Sequence, residues 1–158
     1  MLEHFDQQLF LFLNSINSPF WDKIMYAVSG RIIWAPLYLA ILIYLGIKYK
    51  KKFLIIIPFI IIAVTLADQL SVQLFKNVFH RLRPCNEPAL NGMIHLVGQC
   101  GGLYGFVSSH ACNSFNVALL SLMLIKKKWF TISMILWASV IGYSRIYLGV
   151  HYPGDVKS

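Results

Sequence analysis

Four long apolar runs, separated by short charged segments, dominate the hydrophobic pattern of the chain. They cover residues 32–47, 53–75, 106–125 and 129–148. A helix needs about 20 apolar residues to cross a bilayer, so we predict about four transmembrane helices, of which the first is the shortest. The pattern therefore predicts an all-α integral-membrane helical bundle in a single domain, residues 1–158.

The first 30 residues follow a different pattern, in which apolar and polar positions alternate with a helical period. Apolar side chains recur at spacings of three and four from Leu2 to Ile16, with acidic and amide side chains between them. This segment is too polar to span a membrane. We predict an interfacial amphipathic helix within residues 1–30, interrupted at the Asn-Ser-Pro sequence of residues 17–19.

Lysines between the apolar runs indicate an orientation. Residues 48–52 read KYKKK and residues 126–128 read KKK, so two hairpin loops on one side of the membrane carry seven lysines. Positively charged loops stay in the cytoplasm. The opposite, extracytoplasmic face would then hold the amphipathic segment, the loop of about 84–105 and the C-terminal end. We expect a bacterial inner (cytoplasmic) membrane protein.

Composition agrees with this class of protein. Of the 158 residues, 58% are hydrophobic and 13% are charged, against about 45–50% and about 25% in soluble domains. The net charge of +8 lies in clusters between apolar runs, which suits anionic lipid headgroups better than nucleic acid. We expect membrane lipids as partners, with no nucleic acid and no obligatory protein partner.

The cysteines match no zinc spacing, and nothing in the sequence indicates a metal or another cofactor. Cys85 and Cys100 bracket the extracytoplasmic loop. Their spacing permits a disulfide, and the sequence alone leaves a disulfide and two free thiols equally open.

Side chains suited to phosphate chemistry collect at three helix ends on the predicted extracytoplasmic face. The segments read KNVFHRLRP (76–84), YGFVSSHACNSF (104–115) and SRIYLGVHYPGD (144–155). Arginine presents a planar fork that matches phosphate oxygens, and a helix N-terminus binds anions. Two histidines can divide nucleophilic attack and proton transfer between them. The candidate site residues are Lys76, Arg81, Arg83, Ser108, Ser109, His110, His151 and Asp155.

The three segments resemble the signature motifs of the type-2 phosphatidic acid phosphatase and vanadium haloperoxidase superfamily. Lys76 and Arg83-Pro84 match the first motif, and residues 107–110 match the second in part, with Val107 and Ser109 in place of proline and glycine. Ser144, Arg145, His151 and Asp155 match the third motif in full. The order and the spacing are those of the family.

The resemblance implies a role for each residue. His151 would be the nucleophile that forms a phosphohistidine, with Asp155 orienting it. His110 would be the general acid and then the general base. The phosphoryl oxygens would be held by Lys76, Arg83, Ser108, Ser109 and Arg145. The family needs no metal, and it normally continues into one more transmembrane helix. Because this chain stops three residues after Asp155, we expect that helix to be truncated and the 158-residue form to be poorly active.

Several alternatives stay open. The lipid could be phosphatidic acid, phosphatidylglycerol phosphate, undecaprenyl diphosphate or a lipid A phosphate. A vanadate-dependent haloperoxidase, or a non-catalytic phospholipid-binding or transport relative, is a competing interpretation. His80 and Arg81 could equally be structural, whereas His95 is expected to be mainly structural. Asp68 precedes Lys76 by eight residues on about the same helix face, and could form an ion pair with it.

Overall fold

The computed structural model describes residues 2–70 and 80–157. Within these two stretches the chain is helical, with no β-strand and one isolated antiparallel bridge between Leu82 and Tyr104. The α-helices are α1 (Leu2–Ser15), α2 (Pro19–Ser29), α3 (Ala35–Tyr49), α4 (Phe53–Leu70), α5 (Ser109–Ile125), α6 (Lys128–Tyr147) and α7 (Pro153–Lys157).

Helices α3 and α4 form an apolar hairpin. The stretch Ile32–Gln69 contains 18 consecutive residues with a mean hydropathy of 1.9 and is long and apolar enough to cross a membrane. It turns back at its lysines, where Lys50 has a φ of 49° and Lys50–Lys52 form a 3-10 turn. At the turn, the ring of Phe53 packs over Gly46, where a side chain would meet it. Helix α5 is apolar but shorter than this stretch.

Helices α5 and α6 form the centre of the bundle, with α3 and α4 against them. Ala118 and Ala138 are buried in their contact, and small side chains allow helices to approach closely in a membrane protein. The amide of Asn113 on α5 donates to Asp68 Oδ1 on α4 at 2.9 Å. This hydrogen bond joins α5 to α4 inside the bundle.

The outward surfaces of α3 and α4 are strongly apolar. Ile47, Leu54 and Phe59 are 73%, 74% and 67% exposed. So large a contiguous apolar surface is unfavourable in water and is suited to lipid contact.

Helices α1 and α2 pack at the end of the bundle where α6 finishes. Asn14 of α1 is buried, and its amide donates to the carbonyl oxygens of His95 (2.9 Å) and Tyr147 (2.8 Å). The chain then turns, and Ser18 caps α2 by accepting the Trp21 N–H. The buried amide therefore holds α1 against both α6 and the loop before α5.

The segment between residue 80 and α5 folds over the same end of the bundle. The Arg83 N–H donates to the Leu103 carbonyl at 3.1 Å, and the Gly105 N–H donates to the Arg81 carbonyl at 2.9 Å. A disulfide joins Cys85 to Cys100. These links fix the backbone on either side of Arg83, in a segment whose regular structure consists of two 3-10 turns, Pro84–Asn86 and Pro88–Leu90, and the Leu82–Tyr104 bridge.

Candidate active site

Three segments that are distant in the sequence meet at this end of the bundle. Nη1 of Arg83 lies 3.2 Å from Nε2 of His151, which joins the segment before α5 to the segment after α6. The Ser108 N–H donates to the Asp155 carbonyl oxygen at 2.9 Å, which joins the start of α5 to α7. Described residues of all three sequence motifs are therefore in direct contact.

The neighbours of His151 select one tautomer of its ring. A guanidinium can only donate hydrogen bonds, so Nε2 of His151 accepts from Arg83 and carries the lone pair. The proton then resides on Nδ1, which faces Asp155 Oδ2 at 3.5 Å. This separation is long for a hydrogen bond, and such contacts commonly tighten when the reacting complex forms. The tautomer is the one in which Nε2 can act as a nucleophile.

His151 is neutral at physiological pH. Burial, opposed in part by Asp155 and reinforced by the charges of Arg83 and Arg145, lowers the pKa of His151 to about 4. A residue only 1% exposed loses the hydration that would stabilise an imidazolium. The ring is therefore unprotonated and available to attack an electrophile.

Asp155 is completely buried and each of its carboxylate oxygens has a donor. Oδ2 accepts the Tyr152 N–H at 3.0 Å and faces His151, whereas Oδ1 accepts from Nη1 of Arg81 at 3.0 Å. The carboxylate is thus held by hydrogen bonds at both of its oxygens. It can orient the imidazole and stabilise the positive charge that develops when Nε2 reacts.

Arg83 is buried without a carboxylate partner among the described residues. Its Nε donates to the Tyr104 carbonyl at 3.2 Å, and Nη1 lies 3.4 Å from the Val150 carbonyl. Burial lowers the pKa of Arg83, with Asp155 acting in the opposite direction. A desolvated guanidinium that no carboxylate neutralises is suited to bind an anion beside His151.

Arg145, in the last turn of α6, adds a second positive charge near His151. Its guanidinium bonds to the buried Ser29 hydroxyl at the end of α2. Its Nε is buried without a hydrogen-bond partner in the described part of the chain. A phosphoryl oxygen would satisfy that donor.

The start of α5 contributes hydroxyls and an imidazole. Ser108 is fully buried, and its Oγ finds no hydrogen-bond partner among residues 2–70 and 80–157. Ser109 is buried as the first residue of α5, and His110 follows it in the first turn. The positive end of the helix dipole adds to the attraction for an anion at this point.

His110 also borders a cavity of about 350 Å³ between α3, α4 and α5. The cavity reaches from His110 to Leu124 in the last turn of α5, which is roughly 21 Å along a helix at 1.5 Å per residue. Most of its lining is apolar, as at Leu42, Val64 and Leu120, and Arg31 lies at its rim. His110 therefore borders this long apolar space and directly follows Ser109 at the start of α5.

The remaining residues that the sequence singles out, Lys76, His80 and His95, differ in where they lie. Lys76 lies outside the described residues, as does any ion pair between it and Asp68. His80 packs edge-on to Tyr104, with ring centroids 4.8 Å apart. Nε2 of His95 lies 2.9 Å from Asp22 Oδ1, which agrees with a structural role.

Two residues at the site, Asp6 and Ser29, are not among the candidates that the sequence offers. The sequence does not decide the role of Arg81, which contacts Asp155 directly. Asp6, from the amphipathic helix α1, binds the other side of Arg81 at 2.6 Å. Ser29 bonds to Arg145. The sequence signal for Asp6 is weak, since a carboxylate on an amphipathic helix is usually a solvated or headgroup-facing residue.

A membrane-type helical bundle with a buried histidine–aspartate pair, beside the buried Arg83 and the half-buried Arg145, has the features of a phosphate-transferring membrane enzyme. Residues 53–157 match the model of the PAP2 superfamily. The chain belongs to the PAP2 superfamily. The prediction of an integral-membrane lipid phosphatase of this family, an all-α hydrolase, is confirmed.

Two relatives and one solved structure are closely similar. The chain is 42% identical to a lipid A 4'-phosphatase of Bacteroides thetaiotaomicron, covering 98% of this chain and 70% of the relative. It is 34% identical to a lipid A 4'-phosphatase of Porphyromonas gingivalis, covering 96% of this chain and 65% of the relative. The crystal structure of Aquifex aeolicus LpxE superposes with a TM-score of 0.71 at 29% identity, covering 96% of this chain and 85% of that one.

Proposed function

We propose that the protein removes a phosphate from a lipid headgroup at the extracytoplasmic face, through a phosphohistidine on His151. The observation that carries the proposal is the environment of the His151 ring. The ring is buried and neutral, with Nε2 beside Arg83 and Nδ1 beside Asp155. This arrangement prepares one nitrogen for attack and the other for charge stabilisation.

In the first step, the Nε2 lone pair attacks phosphorus and the bond from phosphorus to the lipid oxygen breaks. His110 gives a proton to the departing oxygen, and the lipid alcohol leaves. In the second step, His110 takes a proton from water as the water oxygen attacks phosphorus. The phosphorus–nitrogen bond breaks, its electron pair returns to Nε2, and inorganic phosphate is released. Asp155 balances the charge on the His151 ring in both steps.

The phosphoryl oxygens are held by the cations and hydroxyls around His151. Arg83 exchanges its hydrogen bond with Nε2 for one with the phosphoryl group, which frees the lone pair for attack. Arg145 and the otherwise unpartnered Ser108 hydroxyl supply further donors, as does the start of α5 at Ser109. Lys76 completes the set by its place in the motif. Donors fixed in a site that excludes water stabilise the charge of the transition state strongly.

The long apolar cavity beside His110 supports a lipid substrate. A hydrocarbon chain lying between α3, α4 and α5 would bring its headgroup to His110, where the leaving oxygen needs a proton. Burial of apolar surface contributes about 25 cal/mol per Å² to binding. The site is thus suited to a phosphate attached to a lipid and poorly suited to a soluble phosphate ester.

Among the possible lipids, we propose a lipid A phosphate, with the 4'-phosphate as the preferred group. Support comes from the two lipid A 4'-phosphatases that the chain resembles over nearly its whole length. The remaining candidates are phosphatidic acid, phosphatidylglycerol phosphate and undecaprenyl diphosphate.

A phosphate-release assay on these lipids in detergent tests the proposal. The wild-type protein should release phosphate from lipid A faster than from the three other lipids, and mass spectrometry of the product should show loss from the 4' position. His110→Gln should lower kcat by about 10²–10⁴-fold, the usual loss on removing a general acid. His4→Gln, which replaces an exposed histidine on α1, is the matched control and should retain wild-type activity. Release from another lipid at a higher kcat/KM would overturn the substrate assignment, and unchanged turnover in His110→Gln would overturn the role of His110.

A further inference from the structure

Arg81 lies between two carboxylates, one in the active site and one on the first helix. Its Nη1 donates to Asp155 Oδ1 at 3.0 Å, and its Nη2 donates to Asp6 Oδ2 at 2.6 Å. The face of the guanidinium lies over the ring of Tyr152, 4.2 Å from the centroid. The side chains of Arg81 and Asp6 are 22% and 16% exposed, whereas that of Asp155 is fully buried. The three charged groups form one continuous array that ends at His151.

Asp6 makes a second contact that reaches the same place. Its Oδ1 accepts the backbone N–H of Gly154 at 2.8 Å, immediately before Asp155 in the chain. The fit is close, because a Cβ at Gly154 would lie 2.7 Å from Asp6 Oδ2. One carboxylate on α1 therefore holds both the backbone next to Asp155 and the guanidinium that binds Asp155.

The surroundings of Arg81 distinguish it from Arg83. Burial alone would lower the pKa of Arg81, but the hydrogen bond with Asp6 and the charge of Asp155 raise it above its ordinary value. Both of its Nη atoms are engaged by carboxylates, so a phosphate would compete with two fixed anions for them. Arg83 has no such partner among the described residues. Arg81 is thus bound to the catalytic carboxylate, and Arg83 is placed to bind the substrate.

We propose that Asp6 and Arg81 are positioning residues, which hold the Asp155 carboxylate in the orientation that His151 requires. Arg81 occupies Oδ1 of Asp155, so Oδ2 is left to face Nδ1 of His151. Asp6 holds Arg81 in place and neutralises part of its charge. The positive charge of the guanidinium therefore has a smaller electrostatic effect on the His151 ring. The inference rests on the proposed role of His151, and it extends the active site to the N-terminal helix, outside the three sequence motifs.

Kinetics of the full chain in detergent test this role. Asp6→Asn keeps the shape and an acceptor for Gly154, but it removes the charge that fixes Arg81. We expect kcat to fall on the order of tenfold to a hundredfold, the size of effect that partners of metal ligands have on their sites, with KM little changed. The kcat of Arg81→Gln should fall by a similar factor, and Arg81→Lys should recover part of that loss. Glu3→Gln, an exposed acidic residue on the same helix, is the matched control and should behave as the wild type.

The pH profile separates positioning from a merely structural role. The charged groups around His151 in the described chain are Arg83, Arg145 and Asp155, with Arg81 and Asp6 behind them, and the titratable group in the first turn of α5 is His110. Removing the positive charge of Arg81 favours the His151 imidazolium. The acid limb of kcat/KM in Arg81→Gln should therefore move to higher pH. Removing the negative charge of Asp6 disfavours the imidazolium. The acid limb of kcat/KM in Asp6→Asn should therefore move to lower pH. Titration of the substrate is common to all variants and cancels in the comparison.

Inhibition by inorganic phosphate completes the test, and the melting temperature shows whether each variant is folded. Each variant should bind phosphate within about threefold of the wild type, since Arg81 is not assigned to hold it. A large loss of phosphate affinity in Arg81→Gln, with kcat unchanged, would make Arg81 a phosphate ligand and overturn the proposal. A wild-type kcat in both Asp6→Asn and Arg81→Gln would also overturn it. So would acid limbs of kcat/KM that move in the same direction in the two variants. An inactive His151→Ala beside fully active Asp6 and Arg81 variants would refute the positioning role alone and leave the proposed function standing. If Asp6→Asn fails to fold, Asp6→Glu carries the comparison of kcat, since its longer side chain misplaces Arg81, and Arg81→Gln alone carries the pH comparison, because Asp6→Glu keeps the charge.

Discussion

At the scale of single residues, burial controls the charge of His151. The ring is held inside the protein with its pKa lowered to about 4, and the unfolded chain restores the ordinary value of about 6.5. Between these two values the unfolded state binds a proton that the folded state does not. Stability linked to this residue is therefore present above pH 6.5 and is lost as the pH falls toward 4.

The pH dependence of stability should change when His151 is replaced. Unfolding of the wild type and of His151→Asn is followed in the same detergent from pH 7 to pH 4. At 1.36 kcal/mol per unit of pKa, the wild type should lose up to roughly 3 kcal/mol more than the variant over this range. The comparison with the variant subtracts the carboxylates that titrate in both proteins. Parallel curves for the two proteins would show that His151 is not held neutral by burial.

A side chain at Gly105 would crowd the histidine–aspartate pair. A Cβ at this position would lie 3.0 Å from Asp155 Oδ2 and 3.2 Å from Cγ of Arg83. Gly105→Ala should displace one or both side chains and lower kcat by tenfold or more, because small misplacements in a site are costly. At Gly102, a Cβ would meet nothing within 4 Å, so Gly102→Ala serves as the control. Equal activity of the two variants would contradict the geometry around Asp155.

At the scale of elements, the disulfide and the segment before α5 position Arg83. Cys85 follows Arg83 by two residues, and its bond to Cys100 closes a loop with a sequence separation of 15. The Leu82–Tyr104 bridge closes the same segment just outside the disulfide. Losing the covalent link should loosen the backbone that holds Arg83 and weaken the whole fold.

Removing the disulfide should lower both stability and activity. For a loop of this length the chain-entropy model gives about 3 kcal/mol of stabilisation. The double variant Cys85→Ser, Cys100→Ser should therefore melt at a lower temperature than the wild type, and dithiothreitol should act on the wild type in the same direction. Cys112→Ser, which changes a free cysteine on α5, is the control: it should melt as the wild type does and keep the wild-type response to dithiothreitol. An unchanged melting temperature in the double variant would show that the other contacts of the loop suffice.

The sequence predicts the elements that carry the site better than the contacts between them. Apolar runs and motif spacing are local properties, so the sequence alone assigns the helix ends with Arg83, His110 and His151 to one face. The contact between Asp6 and Arg81 joins residues 75 positions apart, and it depends on how α1 packs. No periodicity encodes such a contact. The long cavity beside His110 likewise cannot be predicted from the sequence, since it depends on gaps between packed helices.

At the scale of the whole molecule, the two lysine-rich turns lie at the end of the bundle opposite the active site. Lys50 lies between α3 and α4, and Lys127 lies between α5 and α6, whereas the active site is formed where α6 ends and α5 begins. If positive turns stay in the cytoplasm, a substrate must reach the site from the extracytoplasmic leaflet.

Cysteine labelling in intact cells tests this orientation. In a Cys112→Ser background, Lys50→Cys and Lys127→Cys should react with a membrane-impermeant maleimide only after the cells are opened. Asn91→Cys, in the loop near the active site, should react in intact cells. Labelling of the lysine positions from outside, with Asn91→Cys protected, would place the active site in the cytoplasm.

The most direct test of the central claim is to trap the phosphorylated enzyme. The full chain is mixed with a lipid whose phosphate is radiolabelled, and the reaction is quenched within milliseconds and resolved under denaturing conditions. We predict that label is bound to the protein in a form that acid releases and alkali does not, as expected of a phosphohistidine. The label should map to His151 and be absent from His151→Ala. Turnover at the wild-type rate in His151→Ala, or label on any other residue, would contradict the account.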